Sequence, residues 1–429
     1  MLRPAAEVQI STDPIRLTLE RTRPIAAPPE WPLDLLDIPA LRLTGWKPVP
    51  FRHFVLKIHG RCNLSCTYCY MYELADQSWR SKPRAMDTAT IGAVCDRIAE
   101  HVHTHSLAAV DVVLHGGEPL LAGVAVIRQT VMMLRRAVPS PCDVRIQIQT
   151  NAILLDERVL SELSQLGIRV GVSLDGAAED NDRHRRYADG RGSYAAVSTS
   201  LRLLASPPHR HLFSGILSTV DVAADPVRTY AALLEFSPPA IDFLLPHGNW
   251  SEQPPGRTAD LTPSRYSSWL VAVFERWYRA PVAETRIRFF EQIMNVVLGG
   301  QSSSEAIGLS PVGVVVVDTD GAIEQVDALR SAYDGASGAG LDVVHDAFDD
   351  ALAHPGVVAR QIGVKALHPD CLACPVRNIC GGGHYPHRYR AGAGYRNRSV
   401  YCADLRTVID HISNTVLSDV RRLSERNVP

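Results

Sequence analysis

The sequence lacks an excess of either charge: 44 lysines and arginines face 46 aspartates and glutamates, leaving a net charge of -2. Without a basic surplus, nucleic acid is excluded as the main partner. No apolar run is long enough to span a bilayer, and the opening MLRPAAEVQISTDP has no apolar stretch after its arginine. A membrane segment and a signal peptide are therefore not expected. Cysteine is sparse, with nine residues in 429, an odd number that clusters instead of spreading. That argues against a disulfide framework, favours metal ligation, and predicts a reducing, cytoplasmic setting.

What is present is alternation. A chain this long suggests two or three units, although one α/β barrel takes roughly 200 residues or more by itself. Residues 1–50 are proline-rich (Pro24, Pro28, Pro29, Pro32, Pro39, Pro48, Pro50) and show no sustained period, which predicts a partly ordered arm whose Trp31, Leu33, Leu35, Leu36 and Ile38 pack on the barrel. From Phe51 to His247 short β-rich runs alternate with helical stretches, the form of a parallel sheet built from βα units. The strands predicted are His53–Ile58, Val110–Leu114, Val144–Gln149, Arg169–Leu174, Phe213–Thr219 and Ile241–Leu245. Helices are predicted at Thr88–His103, Val124–Val138, Asp156–Leu166, Ser193–Leu204 and Val227–Leu234. Six such repeats make a partial (β/α)6 TIM-like barrel over 51–250, and ligands of such folds sit at the C-terminal ends of the strands.

Beyond the barrel the character changes. A linker with bridging helices at Ser264–Tyr278 and Arg286–Leu298 fills 251–308. A hairpin turning at Asp320-Gly321 joins Val312–Val317 to Ile323–Val326. Gly335 to Gly340 reads as a flexible loop and Val357–Leu367 as a short helix within a unit spanning 309–405. Residues 406–429 close the chain with an amphipathic helix, Arg406–Leu423.

The richest stretch is VLKIHGRCNLSCTYCYMY, where the first strand runs into Cys62-x3-Cys66-x2-Cys69. Three thiolates on one tight loop can hold three irons of a cubane cluster, whose usual complement is four cysteines, so one iron is left open to a chelating small molecule. Ordinary buried cysteines are the plainer reading. It is disfavoured because the three stand so close together beside Asn63, Ser65 and Thr67. The second strand runs into His115-Gly116-Gly117-Glu118-Pro119, where glycines allow close backbone approach and the carboxylate can meet an ammonium. Gln149-Thr150-Asn151 and Ser173-Leu174-Asp175-Gly176 end the next two strands. Their short polar side chains suit ribose hydroxyls and carboxylates, and equally suit helix caps or Asx turns. Asp182-Arg183-His184-Arg185-Arg186-Tyr187 follows. His247 ends the sixth strand, a loop histidine or a base at the substrate mouth.

A second cysteine group, Cys371-x2-Cys374-x5-Cys380 with Cys402 further on, suits zinc or a cubane cluster on spacing alone. Cys95 and Cys142 read as structural.

CxxxCxxC after a first strand, with Tyr68 before the last cysteine, resembles the radical S-adenosylmethionine (radical SAM) superfamily. The C-terminal group resembles the SPASM extension of its peptide-modifying members. The phrases GAIEQVDALRSAYDGA, AHPGVVARQIG and CPVRNICGGGHYPHRYRAGAGYRNRSVYCADL resemble Fxs-type maturases, which close three-residue cyclophanes in ribosomal precursor peptides. The resemblance implies two [4Fe-4S] clusters: one on Cys62, Cys66 and Cys69 that binds SAM, and an auxiliary one on Cys371, Cys374, Cys380 and Cys402. It implies SAM contacts from Tyr68, Gly116, Gly117, Glu118, Asn151, Ser173 and Arg185, with Asp175 and His247 as catalytic candidates toward the substrate. It further implies a precursor peptide as partner and a flavodoxin- or ferredoxin-type electron donor. In that chemistry a 5'-deoxyadenosyl radical takes a hydrogen atom from a residue's β-carbon, and the carbon radical joins an aromatic ring. The chain departs from SPASM relatives at Ser310, Val326 and His384, where they often have cysteine, so a first auxiliary cluster is not expected and His384 is left without a role. Thioether or formylglycine formation, or a zinc-stapled peptide-binding module, are the competing readings.

Overall fold

The computed structural model describes residues 30–257 and 262–426. Residues 1–29 of the predicted arm, 258–261 of the linker and 427–429 at the end lie outside the described residues.

Six parallel strands pair in chain order: β1 (His53–His59), β2 (Ala109–Gly116), β3 (Asp143–Thr150), β4 (Arg169–Ser173), β5 (Phe213–Thr219) and β6 (Ala240–Leu244). Helices Thr88–His105, Val124–Ala137, Glu157–Gln165, Tyr194–Ala205 and Pro226–Leu234 connect them. Three of these helices start where an aspartate takes a backbone N–H of the first turn: Asp87 from Thr90, Asp156 from Val159 and Asp225 from Arg228. Each such cap stabilises its helix by about 1 kcal/mol. Fully buried residues of β1 to β4 (Leu56, Val112, Ile148, Val172) and of the helices (Val94, Leu134, Leu160, Leu201) form one continuous core.

The sheet curls. In a flat sheet β1 and β6 would stand roughly 24 Å apart, five spacings of about 4.8 Å. Here Tyr70, after β1, meets His247, after β6, with ring centroids 4.8 Å apart. That curvature makes the partial (β/α)6 barrel and draws all six C-terminal strand ends around one space.

The sheet then continues past the barrel on both sides. β7 (Arg286–Ile287) adds to β6, while β8 (Val314–Val317) lies parallel beside β1 and carries β9 (Ala322–Glu324) and β10 (Gly338–Asp342), giving the order β10-β9-β8-β1-β2-β3-β4-β5-β6-β7. The predicted hairpin is present as β8–β9, its turn at Gly321 in the left-handed region at φ 86°. The predicted flexible loop is corrected: Gly338, Leu341 and Asp342 pair with β9, so its second half is an edge strand. The predicted helix 357–367 is two pieces, Pro355–Ala359 and a 3-10 turn Gly363–Ala366, the second opening on Gly363 at a left-handed φ of 55°. The C-terminal helix starts earlier than expected, at Cys402, and runs to Arg426, burying Val408, Ile409, Ile412 and Val416.

The arm differs as well. Trp31 is buried, but among Val326, Leu329, Tyr385, Tyr389 and Tyr395 of the C-terminal region, not on the barrel core. Leu33 and Leu35 are exposed.

Candidate active site

The loop after β1 is fixed by backbone bonds to the segment after β4: Ser65 N–H donates to Arg186 O at 2.7 Å and Thr67 N–H to His184 O at 3.1 Å. Within the loop Cys69 N–H donates to Cys66 O, also at 3.1 Å, a turn that brings the last two cysteines round. The three thiols line one cavity of about 190 Å³. Tyr68, Gly116, Gly117, Glu118, Asn151, Ser173, Arg185 and His247 share its wall. Leu64 N–H points at the Cys62 sulfur at 3.4 Å, and Asn151 Nδ2 lies 3.6 Å from it while donating to Asn63 Oδ1 at 2.8 Å.

The two glycines at the end of β2 are needed by the thiol loop itself. A Cβ on Gly117 would stand 1.9 Å from Tyr72 Oη and 2.6 Å from the Arg61 carbonyl, and one on Gly116 would stand 2.1 Å from His59 O. Glu118 is buried and accepts from Leu120 N–H (3.0 Å), Thr150 Oγ1 (2.7 Å) and Asn151 N–H (2.8 Å). Burial raises its pKa against these three donors, which favour the ionised form.

Asp175 stands behind the wall. Its carboxylate accepts from Tyr68 Oη and from Thr219 N–H at 2.8 Å, and burial raises its pKa. Arg185 donates to the same Tyr68 oxygen at 3.0 Å. Tyr68 is thus clamped between a carboxylate and a guanidinium from the β4 side, next to Cys69.

Four buried polar atoms around this cavity have no hydrogen-bond partner in the structure: Arg185 Nε, Tyr72 Oη, His115 Nδ1 and His247 Nδ1. Unpaired buried polar atoms are costly. Their convergence on one space, with a guanidinium among them, fits a polar ligand carrying a carboxylate. Tyr70 and Tyr72, in the YCYMY run, were not singled out from the sequence, while His115 and Thr150 were named only as members of the motifs that end β2 and β3.

The second cysteine group converges too. Cys371 ends up beside Cys374, Cys380 and Cys402 on a cavity of about 290 Å³ with Arg398 and Arg406 at its rim. Its glycines are obligatory: Gly381, Gly382 and Gly383 all take left-handed φ (61°, 85°, 71°), and Arg388 holds the turn by donating to Gly381 O at 2.7 Å and Gly383 O at 2.6 Å. Burial pushes the thiols up, to about 11 at Cys62 and Cys371 and about 12 at Cys69 and Cys380. Such thiols give up their protons when a metal takes them.

Each cysteine group lines a single cavity, and such all-thiol sets suit iron–sulfur clusters.

Comparison with known proteins agrees with this geometry. Residues 56–206 match the family model described as Radical SAM superfamily. The chain is 25% identical over 325 residues to the cysteine-type anaerobic sulfatase-maturating enzyme of Clostridium perfringens, covering 75% of this chain and 85% of that protein. Its fold is similar to that of native anSMEcpe with bound AdoMet and Cp18Cys peptide (TM-score 0.72, 20% identity, 86% of this chain and 99% of that one). It is also similar in fold to Streptococcus suis SuiB bound to the precursor peptide SuiA (TM-score 0.56, 14% identity, 85% of this chain and 78% of that one). The matched segment begins within β1 and takes in the thiol loop and the ends of β2, β3 and β4 that wall part of its cavity.

Proposed function

We propose that this enzyme joins an aromatic ring to a β-carbon within a ribosomally made precursor peptide, closing a three-residue cyclophane. The observation that carries the reading is the adjacency of two cavities. Tyr70, Leu244, Leu245 and His247 line both the cavity at the thiol loop and a second one of about 610 Å³. That is ample for a bulky side chain delivered to the reacting end. Similarity to peptide-modifying relatives, and the C-terminal phrases resembling Fxs-type maturases, support the peptide as substrate.

In this reading Cys62, Cys66 and Cys69 hold a [4Fe-4S] cluster, and Cys371, Cys374, Cys380 and Cys402 hold an auxiliary one. With SAM bound, the first centre supplies the 5'-deoxyadenosyl radical that takes a hydrogen atom from the peptide. A flavodoxin- or ferredoxin-type partner would provide the electron. Arg185, with a free Nε on the cavity wall, takes the SAM carboxylate, and Glu118 with its fixed orientation faces the amino group. Asn151 and Ser173 contribute polar contacts. Asp175 lines neither of these two cavities and acts through Tyr68, which makes it a positioning residue. His247 lines both cavities.

A second reading is formylglycine formation, favoured by the match to a sulfatase-maturating enzyme over most of both chains. Co-expression with a candidate precursor peptide separates the two. A cyclophane removes two hydrogens per ring and blocks fragmentation between the joined residues. Formylglycine made from serine also removes two hydrogens, but it fragments normally and reacts with a hydrazide probe. The triple variant Cys62→Ala, Cys66→Ala, Cys69→Ala should abolish SAM cleavage; retained cleavage would end both readings.

A further inference from the structure

One cluster of side chains remains without a task. His247, at the end of β6, meets His384 and His387 from the glycine-rich turn, and one nitrogen from each lies within 4.8 Å of the others. Ring centroids are 5.8 Å, 5.9 Å and 5.1 Å apart for the pairs 247–384, 247–387 and 384–387. The spacing explains how two of them face one way. His384 caps and His387 lies in a 3-10 turn, where residues three apart are eclipsed.

A histidine this deep is ordinarily a satisfied core residue. These are not satisfied. Both ring nitrogens of His387 are buried without a hydrogen-bond partner, although the residue is only 2% exposed, and His247 Nδ1 is likewise buried and unpartnered. The other such triad among the described residues shows the contrast: His101 and His105 each already bond Asp349, at 2.6 Å and 3.0 Å. Burial, followed by neighbouring imidazoles, holds His247 and His387 far below the ordinary histidine range, to about 3 for His247. Neutral imidazoles are metal ligands, and three with an open fourth corner are a familiar set for zinc and its neighbours. A carboxylate stands behind the set. Glu305 Oε2 lies 4.0 Å from His384 Nε2 and is itself held by Arg360 through bonds of 2.6 Å and 2.8 Å, the kind of outer partner that orients a ligating histidine.

We propose that His247, His384 and His387 form a binding site for one divalent transition-metal ion of the zinc class, separate from both cysteine groups. All three line the cavity of about 610 Å³. The fourth corner is therefore open to water or to a carboxylate or carbonyl oxygen of whatever occupies that cavity. The ion would also tie the end of β6 to the glycine-rich turn. This assignment does not depend on which peptide modification the enzyme performs.

The test uses the full chain loaded with its iron–sulfur clusters under anaerobic conditions, given zinc sulfate and desalted. One zinc per chain is expected, with zinc-edge X-ray absorption showing nitrogen or oxygen neighbours at about 2.0–2.1 Å and imidazole scattering. A melting temperature that rises with added zinc should accompany it. His384→Asn and His387→Asn should each weaken zinc retention by roughly 100-fold or more, since even outer partners of such sites account for 10–100-fold. No retained zinc, or a sulfur shell at about 2.3 Å, would overturn the assignment. So would undiminished retention in the double histidine variant with its iron content intact. Should the variants lose iron, the absorption spectrum of the unsubstituted enzyme decides alone.

Discussion

At the scale of single residues, the least tolerant position in the first site is Gly117. Its missing side chain makes room for the thiol loop's own backbone and for Tyr72, not only for a ligand. Gly117→Ala should displace Arg61 and Tyr72 together and weaken SAM binding by more than about tenfold, equivalent to 1.4 kcal/mol. Calorimetric titration of the cluster-loaded enzyme reads this directly, and an unchanged affinity would contradict it. Asp242 makes a different kind of test. Burial raises its carboxyl to about 6, with Arg288 at 3.5 Å only partly offsetting that. A raised acid favours its protonated form in the fold, so its contribution to stability is fullest below about pH 4 and is lost as pH rises through about 6. Asp242→Asn should therefore stabilise the protein above pH 6, by at most about 3 kcal/mol, with the gain vanishing near pH 4. Melting curves across that range check the sign.

At the scale of elements, β1 is joined to the β8–β9 hairpin by more than backbone pairing. Lys57 is fully buried, its ammonium 3.2 Å from Asp318, 2.8 Å from Glu324 and 2.5 Å from Asp327, while Arg330 bonds Asp318 and Glu324 at 2.7 Å. Lys57→Met leaves three buried carboxylates one cation short, and the expected loss is about 3–5 kcal/mol in chemical denaturation. A neutral outcome would mean that Arg330 and Lys82 suffice. This seam also marks how far the sequence could be read. Strands β1 to β6 and their helices were legible because period and length changed together from element to element. The parallel register of β8 beside β1 was not, since Val314–Val317 is apolar throughout and names no neighbour. Gly338–Asp342 misled for the opposite reason: its glycines signal a loop, but an edge strand needs only backbone. Within the sites, the residues that carry a spacing signature were legible. Tyr70, Tyr72, His115 and His387 were not, because curvature of the sheet and a single 3-10 turn bring them in, and neither leaves a mark in a linear pattern.

For the molecule as a whole, these contacts bear on whether the barrel can stand alone. The family match ends at residue 206 and the parallel repeats end with β6, which invites division of the chain near 308. Yet β8 covers the edge of β1, and every carboxylate that neutralises Lys57 within 3.2 Å comes from residues after that point. His384 and His387, which meet His247, come from there too. Ending the chain at Gly308 would expose a strand edge, strip a buried ammonium of its partners, and remove part of the wall of the larger cavity. The truncated protein should aggregate or lose its cooperative thermal transition even when Cys62, Cys66 and Cys69 are reconstituted with iron and sulfide. A soluble monomer that melts cooperatively and cleaves SAM would show instead that the barrel is self-sufficient and that the C-terminal region serves only the peptide.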